Sequence, residues 1–268
     1  MTTTPFLKWP GGKRQLLPII KAHFPAKFEG YLEPFVGGGA TYFDIAPNIP
    51  LLSDASLRLI QTYRAVRDSV EAVIDAVGRY RNDEATYYAV RGSGALDSKD
   101  IVEVASALIF LNKTAYNGHY RVNLKNGHNV PFGHYKRTNI CDATKLRACS
   151  RALQAASIEH ASFEATLPLA QPGDFAYCDP PYVKTKPSDF DQYLPGGFSL
   201  EQQVRLRDLA VEAKGKGVSV LISNSDCPTT RELYSGPEFR IISLQARRSI
   251  AAEGKRRGKV FELLVANY

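Results

Sequence analysis

The chain has 268 residues, 44% of them hydrophobic and 23% charged, and a formal net charge of +7 at pH 7. That balance suits a globular chain with a sizeable core, folded as one large domain or as a domain carrying an insertion. No run of about 18 apolar residues occurs, so no membrane-spanning helix is predicted. The start, MTTTPFLKWPGGKR, lacks the apolar stretch of a secretory signal, so the expected location is cytoplasmic. Cys141, Cys149, Cys178 and Cys227 form no C-x-x-C pair and the five histidines are scattered, so neither a metal site nor a disulfide framework is expected.

The positive charge is unevenly spread. Residues 1–28 hold Lys8, Lys13, Arg14, Lys21 and Lys27 with no acid, and residues 111–137 hold Lys113, Arg121, Lys125, Lys136 and Arg137 with no acid. Residues 247–259 hold six basic residues against Glu253. Converging, these segments would track a polyanion backbone; apart, they are three solvated faces.

In chain order, YLEPF (31–35) is a short apolar run that breaks into V-G-G-G, and IPLLS (49–53) is a second run, ending at Asp54. Residues 56–80 and 99–111 carry apolar residues at three- and four-residue spacing, which predicts helices. Residues 112–139 lose that period, become rich in Asn, Gly, Tyr and Lys, and read as loop or irregular hairpin. Strand patterns return at 157–163, 174–178, 218–223, 239–244 and 260–268, with helical patterns at 144–156 and 200–217 between them. This alternation predicts an α/β fold, a mostly parallel sheet with helices on both faces. The stretch 56–139 interrupts it and reads as an inserted, mostly helical domain. Residues 1–55 and 140–268 would form the main domain.

Three motifs fall where strands should end. The glycine turn after residue 35 lets a ligand approach the backbone closely, although it is not G-x-G-x-x-G; nor does G-G-K at 11–13 have P-loop spacing. Asp54, at the end of the second run, is placed to bond ribose hydroxyls, or equally to cap the helix that follows. Asp179-Pro180-Pro181-Tyr182 follows the run DFAYC. The exocyclic amine of adenine is a poor nucleophile, because its lone pair is delocalised into the ring. A carboxylate and a proline-held carbonyl would give its N–H groups two fixed acceptors, and an adjacent aromatic ring would stack on the base. A capped Pro-Pro turn is the plainer alternative.

Jointly, these residues resemble the Dam-type (D12 class) DNA adenine-N6 methyltransferases. The resemblance runs through FLKWPGGKRQLL (6–17), YLEPFVGGGATYF (31–43), Asp54, LNKTAYNGHYRVNLKNGHNVPFGHYK (111–136), DFAYCDPPY (174–182), SLEQQVRLRDLA (199–210), VLISNSD (220–226) and RRSIAAEGKRRGKVFELLVANY (247–268). It implies a seven-stranded, Rossmann-like S-adenosylmethionine-dependent methyltransferase sheet with a helical DNA-recognition insertion. It also implies S-adenosyl-L-methionine as cofactor and no metal. Trp9, Lys13, Phe35, Gly37, Gly39, Asp54, Ser162, Phe163 and Asp179 would line the cofactor site. Asp179, Pro180, Pro181 and Tyr182 would hold a target adenine flipped out of double-stranded DNA.

For DNA reading, the resemblance points to Lys8, Tyr116, Asn117, His119, Arg121, Asn123, Asn129, Pro131 and Tyr135. Arg121 suits bidentate contact with guanine, or alternatively clamps a phosphate. His119 stands where the GATC-reading pattern carries a leucine, so GATC or a related site is the expectation. The 247–259 segment would clamp phosphate, or is a solvated turn. A monomer is expected. Methylation of cytosine N4, or DNA binding without catalysis, are the competing readings.

Overall fold

The computed structural model describes residues 2–9, 11–13, 15–183, 197–247 and 259–268. Seven strands form a single sheet: β1 (Tyr31–Glu33), β2 (Pro50–Asp54), β3 (Ser157–His160), β4 (Phe175–Cys178), β5 (Ser219–Ser225), β6 (Arg240–Arg247) and β7 (Lys259–Ala266). The order is β3-β2-β1-β4-β5-β7-β6. Strands β1 to β5 pair in parallel, and β7 runs antiparallel to both β5 and β6. This is the mostly parallel sheet that the alternation predicts, and it is consistent with an S-adenosylmethionine-dependent methyltransferase fold. Every residue of β1 and β4 is buried, as expected of central parallel strands covered on both faces.

The order has one consequence for function. From β1 the chain winds outward through β2 to β3, and from β4 it winds the other way to β5. The winding therefore reverses between β1 and β4, which pair at Tyr31↔Phe175 and Leu32↔Ala176. A crevice opens at the carboxyl ends of strands where winding reverses. The glycine turn leaves β1 there and the Asp179 corner leaves β4 there.

The helices are α1 (Leu17–Lys21), α2 (Ala40–Ile45), α3 (Leu57–Asp68), α4 (Val70–Gly78), α5 (Glu84–Gly92), α6 (Ile101–Thr114), α7 (Ala143–Leu153), α8 (Phe163–Thr166), α9 (Leu200–Gly215) and α10 (Pro228–Leu233). The single helical pattern over 56–80 is two helices, because Ser69 leaves the helical region (φ −142°, ψ 40°). Helix α5 escapes the periodicity; it begins where the Asp83 carboxylate accepts from the Thr86 N–H at 2.7 Å. Helix α6 is buried along nearly its whole length from Val104, as a core helix is. Its Leu108 and Phe110 share one apolar cluster with Tyr63 of α3 and with Tyr31, Leu52, Phe175 and Tyr177 of the sheet. On the opposite face, α9 packs Leu206, Leu209 and Ala210 against Ala176, Cys178 and Ile222.

Past β7, one amide locks the edge of the core. Asn267 is 1% exposed. Its Oδ1 accepts from the Val220 N–H (2.7 Å), and its Nδ2 donates to the carbonyls of Ala210 (2.9 Å) and Val218 (3.1 Å). Asn267→Leu removes three hydrogen bonds to buried backbone groups and is expected to destabilise the protein by about 2–4 kcal/mol, seen as a lower urea midpoint with unchanged m-value. A midpoint equal to wild type would show that those groups find other partners.

Candidate active site

The turn after β1 is shaped by glycine. Gly37 and Gly39 have φ of +46° and +67°, and a Cβ on Gly39 would lie 2.6 Å from the Tyr63 hydroxyl. Both are conformations that side chains other than glycine resist. The Tyr63 hydroxyl donates to the Gly37 carbonyl at 3.0 Å. Asp54, at the end of β2, accepts from the Gly37 N–H (3.1 Å) with Oδ2 and from the Ser56 N–H (2.9 Å) with Oδ1. Burial raises the Asp54 pKa, and these two N–H groups oppose the shift. The ribose acid expected from the sequence thus also holds the turn in shape.

Around this turn lie the other residues expected to line a cofactor site. The Trp9 indole covers Gly37 so closely that a Cβ there would stand 2.9 Å from its ring. Phe35 stacks on Phe163 (5.3 Å, 23°), and Phe198 meets both rings edgewise or tilted. Ser162 caps α8, its hydroxyl accepting from the Ala165 N–H.

Beside the turn, the Asp179 corner is tied to the N-terminal segment. Lys13, 6% exposed, places its ammonium 3.0 Å from Asp179 Oδ1, 2.8 Å from the Gly11 carbonyl and 4.7 Å from the centre of the Tyr182 ring. Asp179 Oδ1 is buried, and the Lys13 ammonium is the charge that faces it. Burial raises the Asp179 pKa, and the charge of Lys13 works against the shift. The Tyr182 hydroxyl donates to Glu262 Oε2 on β7 at 2.9 Å. Cation and carboxylate thus fix the ring from its face and from its edge. Below lies Glu33, 3% exposed, whose Oε2 accepts from the Tyr31 hydroxyl at 2.8 Å. Burial pushes the Glu33 pKa from 4.5 to about 8 against the Tyr31 hydrogen bond, with Asp179 adding to the rise.

The loop expected to read DNA joins this site through two contacts. Asn112 of α6, fully buried, accepts from the Lys8 N–H (2.9 Å) and donates to the carbonyls of Lys8 (2.7 Å) and Gly118 (3.3 Å). Tyr120 stacks on Trp9 (4.9 Å, 19°) and on His128 (5.5 Å, 26°). Arg58 forks onto Asp97 and donates to the Asn126 carbonyl, pinning the hairpin tip to α3. Tyr116, Asn117, Arg121, Asn123 and Pro131 are exposed, while His119, Asn129 and Tyr135 are half-buried. Arg121 Nε donates to Asn129 Oδ1 at 2.7 Å. Burial and then Arg121 lower the His119 pKa, so its ring is neutral at pH 7.

The fold therefore gathers Trp9, Lys13, Gly37, Gly39, Asp54, Asp179 and Tyr182 at one sheet edge, with Lys8 and the 116–135 loop beside them. Of the three basic segments, the first two meet: Lys8 lies against Gly118 and shares the field of Lys113 and Lys145. Residues 248–258 lie outside the described residues. Sequence reading missed Glu33, Arg58, Asn112, Tyr120 and Glu262. The acid in YLEPF was a detectable signal; the others are single polar or aromatic residues whose partners are remote in sequence. The four cysteines are free, and no metal-binding cluster occurs among the described residues.

The family model for D12 class N6 adenine-specific DNA methyltransferases matches residues 9–250. The chain is 41% identical to a Lactococcus lactis subsp. cremoris protein named Type II methyltransferase M1.LlaDCHI, over 98% of this chain and 95% of that one. It is 36% identical to a DNA adenine methylase of Vibrio cholerae (97% and 94% covered) and 35% identical to a DNA adenine methylase of Escherichia coli strain K12 (97% and 93%).

The Glu33 environment gives a pH prediction. Unfolded, this carboxyl ionises near 4.5; folded, it holds its proton to about 8. The folded state binds more protons in between, so the stability Glu33 contributes is full below about 4.5 and is lost as pH rises towards 8. Glu33→Gln should flatten the fall of unfolding free energy between pH 5 and 8, measured by urea titration across that range. Parallel curves for the two proteins would refute the assignment.

Proposed function

The chain belongs to the D12 class N6 adenine-specific DNA methyltransferases, and from that premise we propose that it flips a target adenine out of duplex DNA, seats it against Asp179–Tyr182 and directs methylation to N6 at GATC or a closely related site. The observation that carries this reading is the buried Asp179 carboxylate, faced by the Lys13 ammonium, beside a rigid Pro-Pro corner at the carboxyl edge of the sheet. A carboxylate so held keeps further lone pairs that accept from an amine N–H.

The family implies S-adenosyl-L-methionine as methyl donor, which supplies an electrophilic methyl group when bound. The residues present fit it. Asp54 offers carboxylate lone pairs for ribose hydroxyls, Gly37 and Gly39 offer approachable backbone, and the half-buried Phe35, backed by Phe163, offers a flat apolar face for a purine. Trp9, Lys13, Ser162 and Asp179 complete the set assigned to it.

The chain's own contribution is orientation. Asp179 and the Pro180 carbonyl accept from the two N–H bonds of N6 and draw the nitrogen lone pair out of the ring plane. Tyr182, held by Lys13 and Glu262, stacks on the base. The methylated nitrogen is a strong acid, so it sheds a proton without a strong base, and Asp179 acts first as an acceptor. Unstacking the adenine costs a few kcal/mol, which contacts along the DNA offset.

We assign target recognition to 56–139, with Tyr116, Asn117 and Arg121 as exposed readers and Lys8, Asn123, Asn129, Pro131 and Tyr135 around them. Arg121 Nε and Nη2 both donate to Asn129, which leaves Nη1 and the second N–H of Nη2 for a guanine edge. The neutral His119 ring both donates and accepts, which leucine cannot do, so it bears on the choice of base at its step. We take the protein to act as a monomer in the cytoplasm.

Asp179→Ala is expected to abolish methyl transfer onto duplex DNA while DNA affinity stays near wild type, measured by tritiated-methyl incorporation and fluorescence anisotropy. Near-normal turnover in that variant would sink the site assignment. Mapping modified bases in DNA from expressing cells tests GATC directly. Arg121→Ala should relax preference at one base by about 1–3 kcal/mol, and His119→Leu should shift preference at its own step, both read by competition between duplexes differing at single positions. Unchanged preference in both variants would remove the 116–121 stretch from recognition.

A further inference from the structure

Two buried side-chain amides lie behind the Asp179 corner and outside every role described so far. Gln203, in the first turn of α9, is 1% exposed, and Asn224, near the end of β5, is fully buried. Gln203 Nε2 donates to the Pro181 carbonyl at 2.9 Å, and Asn224 Nδ2 donates to Gln203 Oε1 at 3.0 Å. Asn224 Oδ1 accepts from the N–H groups of Val183 (3.2 Å) and Ser225 (2.9 Å), and the Ser225 hydroxyl donates to the Val183 carbonyl (2.9 Å).

The polarity of this relay is determined. Backbone N–H groups only donate, so Val183 and Ser225 must face the oxygen of Asn224. Its NH2 group then faces Gln203, and the NH2 group of Gln203 faces Pro181. The relay holds the carbonyl before Tyr182 and the amide after it, so both peptides flanking that ring are pinned. Proline fixes φ at 180 and at 181. With the Pro181 carbonyl engaged, the preceding peptide has little freedom left. Its Pro180 carbonyl accepts no hydrogen bond among the described residues.

We propose that Gln203 and Asn224 are positioning residues for methyl transfer: their relay sets the direction of the Pro180 carbonyl and the plane of the Tyr182 ring, and so the geometry of the target amine. The proposal rests on the reading of Asp179–Tyr182 as the target-base site. It requires the relay to act on the rate of the chemical step and not on affinity, because neither amide is placed to touch cofactor or DNA.

Two isosteric variants test it. Gln203→Glu keeps the acceptor for Asn224 but turns an oxygen towards the Pro181 carbonyl. Asn224→Asp keeps both bonds from backbone N–H and loses its donor to Gln203. In single-turnover assays with saturating S-adenosylmethionine and duplex DNA, each should lose about 30-fold or more in rate, the scale of a misoriented reacting group. Cofactor affinity by calorimetry and DNA affinity by anisotropy should stay within about threefold of wild type.

A wild-type rate in both variants overturns the proposal. So does a loss of rate matched by the loss of folded or cofactor-competent protein, which would make the relay merely structural; failure of both variants to fold counts the same way. Asp179→Ala, run alongside, separates the two readings. If it retains turnover, the target-base assignment fails. If it alone loses turnover, only the relay proposal fails.

Discussion

The parallel pairing of β1 with β4 is the constraint from which the site follows. These strands are separated by well over a hundred residues, yet they lie side by side at the point where the sheet reverses its winding. A chain leaving a buried parallel strand must turn at its carboxyl end, and here two turns leave the same edge. One is made permissive by glycine and the other rigid by proline. The first lets a ligand reach the backbone; the second fixes where carbonyl groups point. Neither property is of use to methyl transfer without the other close by.

Charge has to be managed where those turns meet. Glu33, Asp179 and Glu262 are three acids at one sheet edge, and Lys13 is the cation placed among them. Lys13 sits on the face of Tyr182 while Glu262 holds its hydroxyl, so the cation answers the Asp179 carboxylate and also sets the ring. Glu33 avoids the conflict differently: burial raises its pKa so far that it holds a proton at neutral pH.

The N-terminal segment joins the glycine turn to the 116–135 loop. Lys8 and Trp9 are adjacent residues with different partners: Lys8 is bound through Asn112 to Gly118 of that loop, while Trp9 lies over Gly37 and stacks on Tyr120. The glycine turn and the loop are therefore in direct packing contact through Trp9 and Tyr120. The continuous apolar cluster from α6 to the sheet makes that mechanical link stiff.

Local pattern was enough for the α/β class and for the strand ends at which the short motifs sit. Strand periodicity, the V-G-G-G turn, Asp54 at the end of a strand and the D-P-P-Y corner are all short-range features, readable because each depends on neighbouring residues. Ser69 and α5 were less legible: a helix break and a cap-driven helix are decided by one residue's backbone and one side-chain hydrogen bond, which weigh little in a hydrophobic period. Tertiary structure alone decided that Lys13 faces Asp179, that Glu262 holds Tyr182, that Tyr120 stacks on Trp9, and that Gln203 and Asn224 brace the corner. Each of these joins residues remote in sequence, and a lone Gln, Glu or Tyr in a helix or strand has the same local signature whether it points to solvent or to a buried partner. The sequence by itself determined which chemical groups the protein owns and roughly which strand ends carry them; the order of strands in the sheet decided which of those ends meet.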